Sequence, residues 1–502
     1  MAAGDQSVII IGAGLAGLSA GIFAQKNGYK AHIFEHAAQP GGVSATWQRQ
    51  GFTIDGGAHF YMGWRPGKSI HGLYRELGVW QADKFQELDL YARFQDSASG
   101  RQVTVTKDLD RLAADLKALS PADAGFIDDL LTGARVFRDL DLSASLARPA
   151  EMIGTLDNLK MMITGRKALK YWFGRYAQPM ERAVRGLASP FLCEVLQNLF
   201  LPSAPVVFVQ MILGMLAGGN LALRLDGSAG FARALEDSFT GLGGRVTYQA
   251  TVEEILVENG RAAGVRLEDG KEHRAGRVIS AGDGHSTLYK LLGGRYVGPR
   301  HREAHEKWPL FKPILMVNYG VAREFREEPW LAIFKPTRPI TAGHWDSAWC
   351  SVRLFNYLPG HAPAGRTVVQ VMADTAWRPW RDLRDDLKAY KAEKALVAEQ
   401  VLGALEELWP GIGGLVEMTD VATPYTYWRY TFNRDGAFEG FAVTAQSLRA
   451  ALPRTLPGLK DFYMAGQWTI PGGGVVPSLY TGRHAVMLMC RDDGRTFSAP
   501  AD

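Results

Sequence analysis

The run Val8-Ile9-Ile10-Ile11 is apolar, too short for a helix and closed by Gly12, which predicts a buried strand. A stretch rich in small residues follows, and then a second apolar run ending at Glu35, so residues 7–36 read as strand, glycine turn, helix, strand. The period changes over 109–200, which reads as mostly helical. Its start signal is Ser120-Pro121-Ala122-Asp123, where Ser can cap, Pro suits the first turn and Asp complements the dipole. A helix running to about residue 242 opens at Leu225-Asp226-Gly227-Ser228. Strands are expected next at 244–248 and 252–257, a hairpin arm at 264–270 and a strand at 277–281. Strands at 314–321, 348–357 and 367–373, with a long helix at 383–408, suggest a further sheet. The last pattern is a short apolar strand from Asp461, a glycine turn at 466–474 and a helix through Met489.

Composition narrows the class. At 502 residues the chain is long enough for two or three compact units sharing one interior, and 47% hydrophobic with 22% charged residues is the balance of a folded protein. A net charge of +4 is too weak to imply nucleic-acid binding. Cys193, Cys350 and Cys490 lie far apart with no CxxC pair, so neither a disulfide framework nor a cysteine metal site is signalled, and a reducing cytoplasm is expected. Residues 1–7 lack the pattern of a secretory signal, and the longest apolar stretch, 205–217, is shorter than the roughly 20 residues that span a bilayer.

Chemistry enters at the first turn. Gly12 permits a tight bend, Gly14 lets the backbone approach a pyrophosphate, and Gly17 lets the helix pack on the strand. Leu15 and Ala16 open that helix, whose unpaired N–H groups and positive dipole end would face phosphates. Glu35 ends the second strand where a carboxylate accepts hydrogen bonds from an adenosine ribose and disfavours a 2′-phosphate, so the ligand should be FAD or NAD rather than NADP.

The continuation is Gln39-Pro40-Gly41-Gly42-Val43-Ser44-Ala45-Thr46-Trp47, then Gly51-Phe52-Thr53-Ile54-Asp55-Gly56-Gly57-Ala58-His59. It resembles the flavoprotein superfamily of amine oxidases and phytoene desaturases, and within it carotenoid desaturases, carotenoid isomerases and retinol saturases. The resemblance implies FAD and an α/β fold: a discontinuous Rossmann-like FAD-binding domain (1–80, 215–300 and 450–502), a mainly helical inserted subdomain (81–214) and a mixed-sheet substrate domain (301–449). By the same resemblance Gly41 and Gly42 line the cofactor phosphates and ribityl chain, Gly57, Ala58 and His59 approach the flavin, and Val252 sets its backbone against the adenine. The segment from Asp461 to Ser478 then closes the site, with Gly466 and Gln467 near the ribityl or pyrophosphate and Gly474 and Val475 donating N–H groups to the isoalloxazine. One departure is Val43, where the family often has Arg, so that side chain offers no phosphate contact.

Such a protein is expected to be an enzyme acting on carbon-carbon bonds of a hydrophobic, polyene or isoprenoid substrate by hydride exchange at flavin N5, in desaturation, saturation or isomerisation. The sequence has no Ser/His/Asp motif and no second dinucleotide turn, in keeping with that chemistry. His59 and Tyr61 are the candidate polar groups beside the flavin, because a retinol-saturase-like pattern also carries His and Tyr there. An amine oxidase, a fatty-acyl-directed flavoenzyme and a non-catalytic FAD-stabilised membrane protein are the other readings, and the oligomeric state is left open.

Three further features have a bland and a functional reading. Residues 160–187 interleave Lys160, Arg166, Lys167, Lys170, Arg175, Arg182 and Arg185 with Met, Ile, Leu, Tyr, Trp and Phe. This pattern fits a solvated helix or a peripheral patch for an anionic membrane through which a lipid-soluble substrate could enter. His301 and His305 have the i, i+4 spacing of metal ligands but sit among charges without a third ligand, so a solvated helix and no metal site are expected. The aromatics of 345–380 are expected to be mainly core.

Overall fold

The computed structural model describes residues 5–141 and 146–500. Strand β1 (Ser7–Ile11), helix α1 (Leu15–Lys26) and strand β2 (Lys30–Phe34) form the expected unit. In the sheet built on it, Arg245–Thr247 pairs with β2, β2 with β1, β1 with Arg277–Ser280, and that strand with Phe462–Met464, all parallel. Strand β1 is covered on both faces, Val8 and Ile10 packing into one buried cluster and Ile9 and Ile11 into another, which is why it reads as an unbroken apolar run. Helix α1 is buried almost all round, and the closing helix Val475–Asp492 packs on it. That approach depends on Gly482, where a Cβ would lie 2.4 Å from the Ala16 carbonyl oxygen.

A seven-stranded mixed sheet forms the second layer. Its order is Val416–Ala422, Ile314–Val321, Thr367–Asp374, Cys350–Leu354, Leu331–Lys335, Leu90–Asp96 and Gln102–Thr106. Leu90–Asp96 runs parallel to Leu331–Lys335 and all other neighbours are antiparallel. Strands from the stretch expected to be mainly helical thus complete the sheet of the later segment. Beyond them the helices do appear, among them Leu109–Leu119, Ala124–Arg138, Thr155–Thr164, Pro190–Gln197 and Val206–Ala217. Ser120 does not cap as expected: its hydroxyl donates to Asp123, which in turn accepts from the backbone N–H groups of Ala188 and Ser189. The apolar run 205–217 is a buried helix lying close against Ala124–Arg138, and among the described residues no helix is long and apolar enough to cross a membrane.

The helix Pro299–Lys307 corrects a sequence expectation. His301 and His305 are buried, at 1% and 6% exposure, because with Ala304 and Trp308 they form its inner stripe while Arg302, Glu303 and Glu306 face out. His301 Nε2 lies 2.8 Å from the Pro453 carbonyl, and His305 stacks on Trp468. Among the described residues no group of three or more His, Cys, Asp or Glu could hold a metal. Of the aromatics, Phe355 and Trp380 are core, whereas Trp345 is exposed.

Candidate active site

The first half of the site is made by backbone. Gly12 follows β1 and its N–H donates to the Phe34 carbonyl, which ties the turn to the end of β2. A Cβ on Gly17 would stand 1.9 Å from the Gly12 oxygen, so only glycine lets α1 start this close to β1. The chain returns at Gly41, with φ at 120°, where its N–H donates to the Ala13 carbonyl and the backbone bridges to Gly14. The N-cap of α1, Gly14, supplies no side-chain oxygen to the first-turn N–H groups. Glu35 accepts from the N–H of Ala13 at 2.5 Å and of Ala37 at 2.7 Å. Burial raises its pKa, and the backbone donors partly offset this. Each carboxylate oxygen has lone pairs to spare after one bond, so a ribose hydroxyl can still be accepted.

The second half comes from the other end of the chain. After the strand Phe462–Met464, Gly466 donates its N–H to the Thr481 hydroxyl, which fixes the turn to the closing helix. Gly474 is the N-cap of that helix, again without a side-chain cap, and a Cβ there would meet nothing within 4 Å. Two uncapped helix N-termini therefore open on one cavity. A diphosphate at one and an electron-accepting ring at the other would satisfy N–H groups that the protein leaves unsatisfied.

That cavity has a volume of 1880 Å³, about twice the upper end of the range for a drug-sized ligand. Gly12, Gly14, Leu15, Ala16, Glu35, Gly41, Gly42, Gly57, Ala58, His59, Val252, Gly466, Gln467, Gly474 and Val475 all line it. Gly17 lies beneath the wall, consistent with a packing role. Away from the glycine turns the lining turns apolar, with Tyr91, Phe137, Trp172, Phe208, Met211 and Met215, and it reaches the helical segment at Thr164, Gly165 and Ala168.

The loop carrying His59 is held from below. Asp55 accepts from the N–H groups of Gly57 and Ser228, the Ser228 hydroxyl accepts from the Ala58 N–H, and buried Arg353 donates to the Ala58 carbonyl and to Gln370. His59 faces the cavity with its ring 6.1 Å from Phe438, and its Nε2 has no partner. Burial first, and the Arg353 charge second, push its pKa down to about 3, so the ring is neutral at pH 7. Tyr61 is not brought to the cavity. Along Tyr61–Met62 alternate side chains point to opposite faces, so Phe60 and Met62 reach the wall while Tyr61 packs on Phe85 and Phe231.

One lining residue escapes sequence reasoning. Glu439 stands on the cavity wall beside the closing turn, and burial alone raises its pKa, to about 8. Its signal is a single carboxylate inside the apolar run Gly436-Ala437-Phe438-Glu439-Gly440-Phe441-Ala442-Val443. The pinning groups Arg353 and Ser228 carried no recognisable motif.

Known proteins agree with this architecture. The chain is 22% identical to prolycopene isomerase of Daucus carota, over 99% of this chain and 82% of that protein. It is 26% identical to the neurosporene-forming phytoene desaturase of Cereibacter sphaeroides, over 93% and 91%. Among solved structures it resembles an oxidoreductase from Methanosarcina mazei, with a TM-score of 0.59, 18% identity and 96% and 100% coverage. It also resembles cyclohexylamine oxidase from Brevibacterium oxydans, with a TM-score of 0.58, 13% identity and 98% and 100% coverage; at these identities the two structures speak for the fold alone. The pattern described as flavin containing amine oxidoreductase matches residues 15–490, so the chain is an oxidoreductase that belongs to that family, on the side of carotenoid isomerases and desaturases.

Proposed function

We propose that the chain binds FAD across its two glycine turns and uses it to act on carbon-carbon bonds of a long apolar polyene or isoprenoid. The observation that carries this reading is the continuity of the cavity, which joins both uncapped helix ends to a wall of aromatic and Met side chains without a break. When bound, FAD would supply a two-electron couple that can take hydrogen from, or return it to, a carbon chain. The protein's part is then to hold the carbon chain in the apolar arm and keep water out. Neutral His59 would present an uncharged ring to that chain, suited to packing against a polyene rather than to donating a proton at pH 7. Gly12, Gly14, Gly41 and Gly42 would hold the diphosphate, Glu35 the ribose, Val252 the adenine, and Gly474 and Val475 the pyrimidine edge.

Substrate entry from a membrane is part of the proposal. Beside the cavity residues Thr164 and Trp172, the side chains of Leu156, Met162, Ile163, Leu169 and Phe173 are exposed, Leu156 at 82% and Phe173 at 56%. Apolar side chains on the surface among Arg166, Lys167 and Lys170 suit an anionic lipid surface. The test is incubation of the purified flavoprotein, oxidised and pre-reduced, with phytoene, prolycopene and lycopene in liposomes, followed by chromatography of the pigments. Conversion of at least one is expected. Anaerobic bleaching of the flavin by simple amines, with every polyene recovered unchanged, overturns the reading.

A further inference from the structure

We propose that in alkaline solution Glu439 is a proton-exchanging group of the redox site, taking up a proton when FAD in the two glycine turns is reduced and releasing it on reoxidation. The inference rests on the reading that FAD binds there with its ring at Gly474 and Val475. Glu439 follows Phe438, the ring that stacks on His59, and it rests against the closing turn: a Cβ on Gly473 would lie 2.7 Å from Glu439 Oε2. The carboxyl thus sits one residue before the N-cap of the closing helix and on the wall of the same cavity.

Its surroundings leave it free to exchange. Burial is the sole cause of its raised pKa, about 8, with no hydrogen bond or charge contributing. Among the titratable and charged groups on the same cavity are Glu35 and His36 beside the first glycine turn, His59 on the loop after Phe52–Asp55, His484 on the closing helix, Asp283 and Lys290 after Arg277–Ser280, the Lys312–Asp374 pair, and Arg454, whose partner is Glu151. His59 and His484 titrate near 3 and Asp283 near 6, so none of these three changes charge between about pH 7 and pH 9.

Two electrons entering the ring leave negative charge on its pyrimidine side, and like charge beside a carboxyl raises its affinity for a proton. The coupling is reciprocal, so a neutral Glu439 favours the reduced cofactor. Below pH 8 Glu439 is already protonated and reduction draws in only the ring's own proton. Above pH 8 it starts as a carboxylate, and the same two electrons bring in one more proton, which ends on a Glu439 oxygen. The electrons come from substrate or, in the test, from dithionite.

The test is proton uptake by the full-length flavoprotein during dithionite reduction in weakly buffered solution with an indicator dye. It is paired with the flavin potential measured against reference dyes. The wild type is expected to take up one more proton per flavin at about pH 9 than at about pH 7, and its potential to fall about twice as steeply per pH unit above 8 as below. Glu439→Gln should keep its flavin and lose both changes. A wild-type count that stays flat, or a Gln variant that keeps the rise, overturns the proposal. If the variant loses its flavin, infrared difference spectra of carbon-13-glutamate-labelled wild type decide: a protonated carboxyl band must appear on reduction at pH 9, and its absence is fatal. Protein that binds no flavin sinks the cofactor reading as well, whereas bound flavin with a flat count sinks only the role of Glu439.

Discussion

Gly17 leaves no space for a side chain, since the first added carbon would meet the Gly12 oxygen at 1.9 Å. Gly17→Val should therefore push α1 off β1, cost about 1–3 kcal/mol and empty the cofactor site. Thermal unfolding together with the flavin-to-protein absorbance ratio checks both effects. Glu439 gives a prediction of the opposite sign. Its folded pKa, about 8, lies above the ordinary carboxylate range, so the folded state holds a proton that the unfolded chain releases from about pH 4.5 upward. Stability is lost as pH rises from there to 8. Glu439→Gln removes that loss, and the cofactor-free variant should melt above wild type at pH 8–9 and level with it at pH 4.5. Neither residue's role is visible in the same way from sequence. Gly17 belongs to a local spacing, whereas Glu439 gains its meaning from a wall formed by residues hundreds of positions apart.

Elements differ in the same respect. The unit β1–α1–β2 and the strand-turn-helix at 462–492 are legible because an apolar run, a glycine turn and a helix are adjacent in sequence. Leu90–Asp96 and Gln102–Thr106 are not placed by that logic. Leu90–Asp96 pairs in parallel with Leu331–Lys335 in a distant part of the chain, a pairing that leaves no periodic mark, and Gln102–Thr106 joins the sheet only through Leu90–Asp96. The direction of Tyr61 is likewise a matter of register, since one step along the strand exchanges wall for core. At this scale the exposed segment of Leu156 to Phe173 makes its own prediction. Replacing Leu156 and Phe173 with Ser should leave the melting temperature within about 1 °C, because exposed side chains contribute little to folding. It should also reduce flotation with phosphatidylserine vesicles at low salt severalfold. Unchanged flotation would remove the segment from the proposed entry route.

For the whole molecule, buried histidines set the acid limit. His59, His305 and His484 each have folded pKa values near 3, with burial as the leading cause, against about 6.5 in an open chain. The unfolded state binds their protons first, so the stability these three rings contribute is full above about pH 6.5 and declines as pH falls toward 3. At pH 5 each costs up to about 2 kcal/mol, and Glu439 offsets a part of that sum. Urea melts at pH 7 and pH 5 should show a clear fall in midpoint, steeper in Glu439→Gln than in wild type. A midpoint that holds or rises at pH 5 would mean these rings are not neutral in the fold.

The edge position of the strand Phe462–Met464 also bears on how the protein comes to exist. Until that strand is synthesised, Arg277–Ser280 is an open sheet edge, one of its neighbours missing, and the surface of α1 that receives the closing helix is bare. A growing chain must therefore carry the uncovered apolar face of α1 for most of its synthesis, and the adhesive edge from the completion of Arg277–Ser280 until the last segment is made, which is the condition that invites chaperones or misassociation. Only when the last segment docks does the second helix end meet the first, so cofactor capture would act as a late latch on a chain already made, and interrupted chains should accumulate as aggregation-prone, colourless protein.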